Sequence, residues 1–541
     1  MSALPRIDHR MILPLKQLAR CALAAAVLVL PVPAFDAAAA DALPAVNTAP
    51  RFALVIGNGK YAGVPLKNAP NDARAMADHL KRMGFDVTLK VDASRAEMVE
   101  TIRAFGGKLQ KQKGVGLFYF AGHGAQLAWR NYLIPVDAKI RNIAEVETQA
   151  VDMDMLLESM TRAKNPMNLI ILDACRDNPF GGDVEMQQKG LSQIDAPPGT
   201  LLAYATAPGN TAADGLGVNG LYTENVLKEM DKPASRLEDI FKRVRLNVRL
   251  QSRGEQIPWE STSLEQDFYF IPPKEFRSLT LTDTEQQFQE EFALWESIQG
   301  SKESAPLEDY LRRFPSGKFS ELAQFRLDRV LAQNGEKPVL VADAARNAGN
   351  PYTKGTVRVN TNFALGDTYS YRKLDIATQA ETRKYTLTLT QITDDMLVFN
   401  RGTEVRDLLG NIYKNSTYGE YSGAEGGAAQ FYAAEYTVGK RWTARYNVKG
   451  KDGKDWSTEY VFKVVGREKI TLPAGEFDAF KVEGVGANTL GAILKFTYWI
   501  APDKVRRPLA VEFIATGSKT GRVYESSRLE LTSYRQLMEM K

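Results

Sequence analysis

Between residues 50 and 253, short apolar runs alternate along the chain with stretches of helical periodicity. Runs rich in β-branched and aromatic residues predict strands at 52–56, 86–90, 115–124, 168–175 and 200–206. Apolar positions three and four residues apart predict helices at 71–83, 94–111, 154–162, 221–230 and 235–253. Ser94, followed by Glu97, predicts a capping box at the start of the second helix. This alternation predicts an α/β unit with a mostly parallel sheet and helices on both faces.

The pattern changes beyond residue 272. Residues 283–333 carry apolar positions at helical spacing, among them Phe288, Trp295 and Tyr310, and predict two or three helices with an aromatic core. Residues 334–354 are rich in Gly, Asn and Ala and predict a linker. From 355 to 541, alternating apolar and polar positions predict an all-β domain of about ten short strands, either a sandwich or a curled barrel.

Two of the predicted strands end in reactive residues. The run 115–124 closes on His123 and Gly124, and the run 168–175 closes on Cys175. Chemistry in an open parallel sheet takes place at the carboxyl ends of its strands, so we expect His123 and Cys175 at the same edge. An imidazole beside a thiol takes the thiol proton and stabilises the thiolate nucleophile. The pair therefore predicts a cysteine peptidase site.

The first 40 residues have the pattern of a secretory signal. Four basic residues precede an apolar run at 21–30, and small residues at 37–40 follow it; the basic residues are Arg6, Arg10, Lys16 and Arg20. We expect cleavage after Ala40 and export to a periplasm or to the outside. An uncleaved membrane anchor is less favoured, because the apolar run is shorter than the roughly 20 residues that a spanning helix needs.

Cysteine and histidine are scarce. The chain has two cysteines, Cys21 and Cys175, and cleavage after Ala40 would leave Cys175 without an intramolecular disulfide partner. A lone thiol in an exported protein indicates a function, although a buried cysteine that packs as a small apolar residue is the alternative. Of the histidines, His79 falls beside the apolar stripe of its predicted helix and is expected on the surface. His123 is then the candidate base.

Composition adds few constraints. The chain has 541 residues, of which 44% are apolar and 25% are charged, and this length predicts more than one domain. A net charge of +4 gives no argument for nucleic-acid binding. The sequence predicts neither a metal site nor another cofactor, and it leaves a calcium requirement and the oligomeric state open.

The motifs around His123 and Cys175 resemble those of caspase-like cysteine peptidases, including bacterial orthocaspases and metacaspases. The resemblance covers about 51–272 and includes three further motifs, at 131–137, 204–209 and 256–259. Asp173, two residues before the cysteine, is similar to the metacaspase pattern rather than to that of caspases proper. The helices at 283–333 resemble a tetratricopeptide-like piece found after bacterial caspase-like domains. The β-rich region at 355–541 resembles an accessory domain of bacterial envelope proteins.

This resemblance implies a role for each motif residue. Cys175 would attack the scissile carbonyl group, and His123 would protonate the leaving amine. The backbone N–H groups of Gly124 and Cys175 would form the oxyanion hole. We expect Gly122 and Gly124 to be required because a side chain there would crowd the substrate backbone.

The resemblance also bears on specificity. Caspases proper select Asp through arginines, whereas metacaspase-like enzymes select Arg or Lys through acids. With Asp173 beside the nucleophile and Asp137 as a weaker candidate, we expect a basic residue before the cut. A purely structural, hydrogen-bonding role for Asp173 is the alternative. Arg176, which follows the cysteine, would favour the thiolate.

The long polar connection 181–199 lies between the Cys175 strand and the next strand. Connections of this kind are where proteolytic nicking concentrates. Lys189 is its one basic residue, so an enzyme with an acidic pocket could cut itself there. An uncleaved surface loop is an equally favoured interpretation.

Three functions stay open at the level of sequence. The favoured one is an exported cysteine endopeptidase that acts on peptides or proteins through Cys175 and His123. The second is a catalytically idle caspase-like scaffold that binds an envelope partner through its C-terminal β domain. The third is another Cys–His enzyme, such as an acyl transferase or an amidase. Retention of both Cys175 and His123 argues against the scaffold.

Overall fold

The fold is described from a computed structural model, for residues 45–175, 190–207, 217–274, 281–336, 350–393, 396–416, 419–422, 429–451 and 453–537. The predicted signal segment 1–40, Arg176 and Lys189 lie outside these residues, as does most of the predicted linker 334–354. For Cys175, which ends a strand, the structure gives the backbone position.

An open, mostly parallel sheet forms the centre of the N-terminal half. Its strands are β1 (Arg51–Gly57), β2 (Phe85–Val91), β3 (Val115–Leu127), β4 (Arg130–Leu133), β5 (Val151–Asp152), β6 (Met167–Cys175), β7 (Thr200–Tyr204) and β8 (Trp259–Thr262). The strand order is β2-β1-β3-β6-β7-β8, in which the pairs from β2 to β7 are parallel and β8 runs antiparallel to β7. β4 pairs antiparallel with the last residues of β3, and β5 pairs antiparallel with β4.

Helices cover both faces of this sheet. They are α1 (Ala69–Arg82), α2 (Arg95–Gln112), α3 (Val146–Gln149), α4 (Met153–Ala163), α5 (Leu221–Met230) and α6 (Leu237–Gln251). The apolar residues of α1, α5 and α6 pack on one face, and those of α2 and α4 pack on the other. Because side chains alternate across a strand, β3 and β6 contribute to both cores and are buried throughout most of their length. The capping box of Ser94 and Glu97 begins α2 as predicted.

Three helices follow the sheet. They are α7 (Leu281–Ile298), α8 (Ser304–Arg313) and α9 (Ser320–Gln333). Their aromatic residues are buried in a core of their own, in which Trp295 stacks on Phe319 with 5.4 Å between ring centroids. Leu246 of α6 belongs to the same core, so the helical segment packs directly on the α/β domain.

The C-terminal part is all β. Its strands are β9 (Thr356–Arg358), β10 (Thr368–Asp375), β11 (Glu381–Ile392), β12 (Met396–Phe399), β13 (Glu404–Asp407), β14 (Ile412–Asn415), β15 (Gly419–Ser422), β16 (Glu435–Thr437), β17 (Arg441–Gly450), β18 (Asp455–Leu472), β19 (Gly475–Asn488), β20 (Ala492–Ile500), β21 (Ala510–Gly517) and β22 (Val523–Arg535). β10 to β15 and β17 to β22 form a closed barrel of 12 strands, and β16 pairs with β9.

The structure confirms the predicted fold class: an α/β sheet with helices on both faces, then a helical segment and an all-β domain. Between the two shapes left open for the β domain, the structure shows the barrel. Several of its strands are longer than the short strands expected, because β18 and β19 pair continuously over more than a dozen residues. Within the part of the chain that the structure describes, no helix combines the length and the apolar content needed to cross a membrane.

Candidate functional site: the carboxyl ends of β3 and β6

His123 and Cys175 are register partners on adjacent parallel strands. They form the last matched pair along β3 and β6, where both strands reach their carboxyl ends. The pairing places the two backbones side by side, although the residues are far apart in the sequence. The edge of the sheet where chemistry was expected is therefore the edge at which these two residues meet.

The imidazole of His123 is held on two sides by the loop after β1. Its Nε2 lies 2.6 Å from the carbonyl oxygen of Val64, and the ring of Tyr61 packs against it with 4.4 Å between centroids. A carbonyl oxygen only accepts, so Nε2 carries the proton in this contact. A neutral ring in this tautomer has its basic lone pair on Nδ1. His123 is 2% exposed, so the surrounding protein fixes the orientation of the ring.

The loop that supplies Tyr61 and Val64 is fixed by buried hydrogen bonds. The Ala93 N–H donates to Asn58 Oδ1 at 2.9 Å, and Asn58 Nδ2 donates to the Ile134 carbonyl at 3.2 Å. The Tyr61 hydroxyl donates to the same Ile134 carbonyl at 3.0 Å and accepts from the His123 N–H at 3.0 Å. Sequence reasoning identified only a turn here. Its position at the carboxyl end of the first strand was the signal that could have marked it as part of the site.

The protein's own packing leaves little room for a side chain at Gly122 and Gly124. A Cβ at Gly122 would lie 2.7 Å from the Tyr61 hydroxyl oxygen, and a Cβ at Gly124 would lie 2.9 Å from a methyl group of Leu191. Crowding of a substrate backbone, the reason expected from the sequence, stays a prediction beside this intramolecular one. At Gly122, a side chain would displace the tyrosine that positions His123.

Asp173 lies two residues before Cys175, opposite Ala121 in the ladder, and is partly exposed. Thr223 Oγ1, in the first turn of α5, donates to Asp173 Oδ2 at 2.6 Å. The Tyr119 hydroxyl lies 2.6 Å from the same Thr223 oxygen. The carboxylate thus accepts from one buried hydroxyl, which a second hydroxyl contacts in turn.

A second acid, Asp72, lies near this group and was not identified from the sequence. It is 3% exposed, and its Oδ1 accepts from Asn219 Nδ2 at 2.8 Å and from the Gly220 N–H at 2.9 Å. Burial, followed by the charges of Asp173 and Asp72, raises the pKa of Tyr119 well above its ordinary value. Both carboxylates therefore act on the same buried hydroxyl. In the sequence, Asp72 has the pattern of an ordinary first-turn helix residue.

Asp137 and His79 have other surroundings. Asp137 is exposed, and its Oδ1 accepts from the Arg95 N–H at 2.9 Å, at the start of α2. This contact ties the loop after β4 to a helix N-terminus. His79 lies on α1, where its Nε2 is 3.1 Å from Asp231 Oδ2. The contacts that join Asp173, Thr223 and Tyr119 include neither residue.

The segment 190–196, which follows the long polar connection, packs beside the site. The Leu191 side chain packs against Gly124. The Ser192 N–H donates to Asn131 Oδ1 at 2.6 Å, and Asn131 Nδ2 donates to the Ser192 carbonyl at 3.0 Å. Asn350 Nδ2 donates to Ser192 Oγ and to the Gln193 carbonyl, each at 3.0 Å. The entry to the C-terminal domain is therefore joined to a segment that packs against Gly124.

Among the described residues, no group of three or more His, Cys, Asp or Glu side chains could hold a metal ion. The groups at the ends of β3 and β6 are of another kind than metal ligands. A histidine of fixed tautomer lies beside the backbone of a cysteine, and two carboxylates lie close by around a buried tyrosine. Such a set of groups suits a thiol nucleophile and a cationic substrate side chain.

Comparison with known proteins agrees with this geometry. The family profile described as "Caspase domain" matches residues 50–269. Human mucosa-associated lymphoid tissue lymphoma translocation protein 1 is 28% identical over 165 residues, which cover 30% of this chain and 19% of that protein. Mouse caspase-1 is 24% identical over 254 residues, which cover 42% of this chain and 62% of caspase-1. The match thus spans less than two thirds of either relative. Residues 50–269 are a caspase domain, of the caspase-like peptidase family, and a C-terminal extra domain follows them.

Proposed function

We propose that this chain is a cysteine endopeptidase that uses Cys175 and His123. The observation that carries the proposal is the register of β3 and β6, which pairs the two residues at the carboxyl ends of adjacent strands in a caspase domain. The Cys175 thiolate attacks the scissile carbonyl carbon, and the C–N bond breaks as the leaving amine takes a proton from His123. Water then hydrolyses the thioester, and the thiol is regenerated.

The hydrogen bond from His123 Nε2 to the Val64 carbonyl supports this role. With one proton retained on Nε2, the other nitrogen, Nδ1, is the atom that takes the thiol proton and gives it to the leaving amine. The Val64 carbonyl also stabilises the imidazolium that exists between those two transfers. Burial and the contact with Tyr61 keep the ring from rotating, so the proton is exchanged at one position.

Gly124 and Cys175 are the proposed oxyanion donors. The Ile134 N–H donates to the His123 carbonyl at 3.0 Å, and Gly124 pairs with Leu133. In an antiparallel pair this pattern makes Gly124 and Leu133 a non-hydrogen-bonded pair. The Gly124 N–H therefore points away from β4, towards the side of β3 on which β6 lies. That is the side on which a tetrahedral intermediate at Cys175 would form.

We propose that the residue before the cut is Arg or Lys and that Asp173 receives it. Asp173 is the partly exposed acid two residues before the nucleophile, and Asp72 adds a second negative charge near Tyr119. Asp137 stays a weaker prediction, because its carboxylate is engaged at the start of α2. The same specificity would allow self-cleavage after Lys189.

Export is proposed from the first 40 residues alone, with a mature chain that begins at Asp41. N-terminal sequencing of the secreted or periplasmic protein tests it, and a chain that retains Met1 or starts elsewhere would contradict it. A role of the C-terminal domain in binding an envelope partner stays a prediction.

The test is a panel of fluorogenic peptides that differ only in the residue before the cut: Arg, Lys, Asp or Ala. Arg and Lys peptides should exceed the Asp peptide by on the order of a hundredfold in kcat/KM. Cys175→Ala should reduce cleavage by at least about a thousandfold without unfolding the domain. His79→Ala, which removes a histidine of the mature chain that lies outside the site, is the control and should cleave like the wild type. Intact mass of wild type beside Cys175→Ala reports any cut at Lys189.

Two outcomes would contradict the proposal separately. Undiminished cleavage by Cys175→Ala would show that the nucleophile is elsewhere. A preference for the Asp peptide, lost in Cys175→Ala, would retain the peptidase and refute the acidic pocket.

A further inference from the structure

Two buried hydroxyl groups in series lead to the carboxylate of Asp173, and one of them contacts it. Thr223 Oγ1 donates to Asp173 Oδ2 at 2.6 Å. The Tyr119 hydroxyl oxygen lies 2.6 Å from Thr223 Oγ1. Threonine has one hydroxyl proton, and an ionised carboxylate only accepts. That proton is used on Asp173, so Tyr119 donates to Thr223. The hydrogen bonds therefore run in one direction, from Tyr119 through Thr223 to Asp173.

Neither hydroxyl can exchange its partner for water. Tyr119 and Thr223 are both 0% exposed. Burial, and then the nearby carboxylates Asp173 and Asp72, raise the pKa of Tyr119 well above its ordinary value, so it stays a donor at neutral pH. Two buried donors in series restrain the rotation of the Asp173 carboxylate. Asp173 itself is partly exposed.

Thr223 is itself held on a fixed element. It lies in the first turn of α5, directly after the Gly220 N–H and the Asn219 side chain that donate to Asp72 of α1. These bonds join the start of α5 to α1, and the apolar residues of both helices pack in the same core. The threonine hydroxyl is thus positioned by two helices and the sheet rather than by a loop.

We propose that Thr223, supported by Tyr119, is a positioning residue that makes the enzyme prefer Arg to Lys before the cut. The inference rests on the proposed function and on Asp173 as the pocket acid. A guanidinium binds a carboxylate through two parallel N–H···O bonds, which require a carboxylate of fixed orientation. A lysine ammonium is a point charge with three rotatable donors, and it tolerates a carboxylate that turns.

The test compares Arg and Lys peptides of otherwise identical sequence, using the full chain. Thr223→Val keeps the shape and removes the hydroxyl. It should lower kcat/KM for the Arg peptide about tenfold, mainly through KM, and for the Lys peptide by about two- to threefold. Thr223→Ser, which keeps the hydroxyl, should restore the wild-type ratio. Thr437→Val is the matched control, since Thr437 Oγ1 is buried without a hydrogen-bond partner among the described residues.

Binding of side-chain analogues gives a second readout that a general packing defect would not reproduce. The competitive inhibition constant of butylguanidine should rise about tenfold in Thr223→Val, and that of butylamine should change by about twofold. If Thr223→Val fails to fold, Tyr119→Phe takes its place, with a smaller decrease of the Arg-to-Lys ratio, about twofold.

An unchanged Arg-to-Lys ratio in the folded Thr223→Val variant would overturn the inference, and so would a failure of Thr223→Ser to restore it. An unchanged ratio in Tyr119→Phe would overturn the part assigned to Tyr119. The proposed function fails in a different way. In that case the wild type shows no cleavage after basic residues that depends on Cys175, whatever residue 223 is.

Discussion

The two halves of this chain handle polar groups in opposite ways. In the α/β domain, the polar residues of the central strands gather at an open edge, where His123 and Asp173 keep defined partners beside the Cys175 backbone. In the barrel, charged residues pair with one another in the interior: Glu404, for example, contacts both Arg406 and Arg507. An open sheet leaves its strand ends available for a ligand, whereas the buried charges of this barrel have each other as partners.

The difference indicates where substitutions should act on chemistry and where they should act on stability. Removing a group at the open edge leaves the two apolar cores of the α/β domain intact, because these lie on the faces of the sheet. Removing one charge from the barrel interior leaves its partners buried without compensation, which is among the most destabilising changes known in proteins. The predictions below test this division.

The largest effect is expected at Glu404. The residue is 5% exposed, and its carboxylate lies 3.1 Å from Arg507 and 2.5 Å from Arg406. Burial opposes its ionisation, but the two guanidiniums outweigh burial and lower its pKa. Glu404→Gln should therefore lower the free energy of unfolding of the barrel by about 3–5 kcal/mol, measured by urea denaturation.

The control for Glu404→Gln is Glu420→Gln. Glu420 makes an exposed pair with Lys414, and its loss should change stability by less than about 0.5 kcal/mol. Below the unfolding transition, both variants should cleave peptides at the wild-type rate. A loss of cleavage in folded Glu404→Gln would show that the barrel takes part in the chemistry. It would contradict the assignment of chemistry to the α/β domain and of these buried charges to stability.

An intermediate effect is expected where the two halves meet. Glu435 lies 3.4 Å from Arg245 of α6, 3.8 Å from Arg358 and 3.9 Å from Lys440. Burial opposes its charge, but these three cations prevail and lower its pKa from 4.5 to about 2. Because the folded state holds its proton less tightly than the unfolded chain, the contribution of Glu435 is complete above pH 4.5. It is lost as the pH falls towards 2.

This contribution is worth about 2–3 kcal/mol. Wild type should lose that stability between pH 4.5 and pH 2, as measured by urea unfolding at several pH values. Glu435→Gln should be less stable at pH 7 and lose less over that interval. Glu158→Gln, at an exposed pair with Arg162, is the control. If wild type and Glu435→Gln lost equal stability over this pH interval, groups other than Glu435 would be responsible for the loss.

The sequence predicted what local patterns determine. Apolar runs that end in His123 and Cys175 indicated two buried parallel strands, and their register confirms the shared edge. Ser94 and Glu97 lie three residues apart, so their capping box is readable from sequence. Both successes rest on spacing within a single element, or on the rule that parallel strands present the same end.

What the sequence could not show depends on tertiary contacts. Val64 and Tyr61 contact His123 because a loop folds back over β3, and no periodicity marks that return. Asp72 has the pattern of an ordinary helix residue until α5 docks on it. Closure of the barrel requires β10 to pair with β22, more than a hundred residues later, and alternation within either strand does not specify its partner.

The smallest effect is expected at the contact between the entry to the barrel and the segment beside the active edge. Asn350 Nδ2 donates to Ser192 Oγ and to the Gln193 carbonyl, and Asn350 is 7% exposed. Asn350→Ala should lower the local stability of this segment by about 1–2 kcal/mol, because two buried acceptors lose their donor. Hydrogen exchange at Ser192 and Gln193 should quicken by about tenfold, while exchange in β18 and β19 stays unchanged. Asn362→Ala, at an exposed position of the same stretch of chain, should change neither. If Asn350→Ala instead quickened exchange throughout the barrel, the two halves would unfold as one unit, and the division between chemistry and stability would not hold.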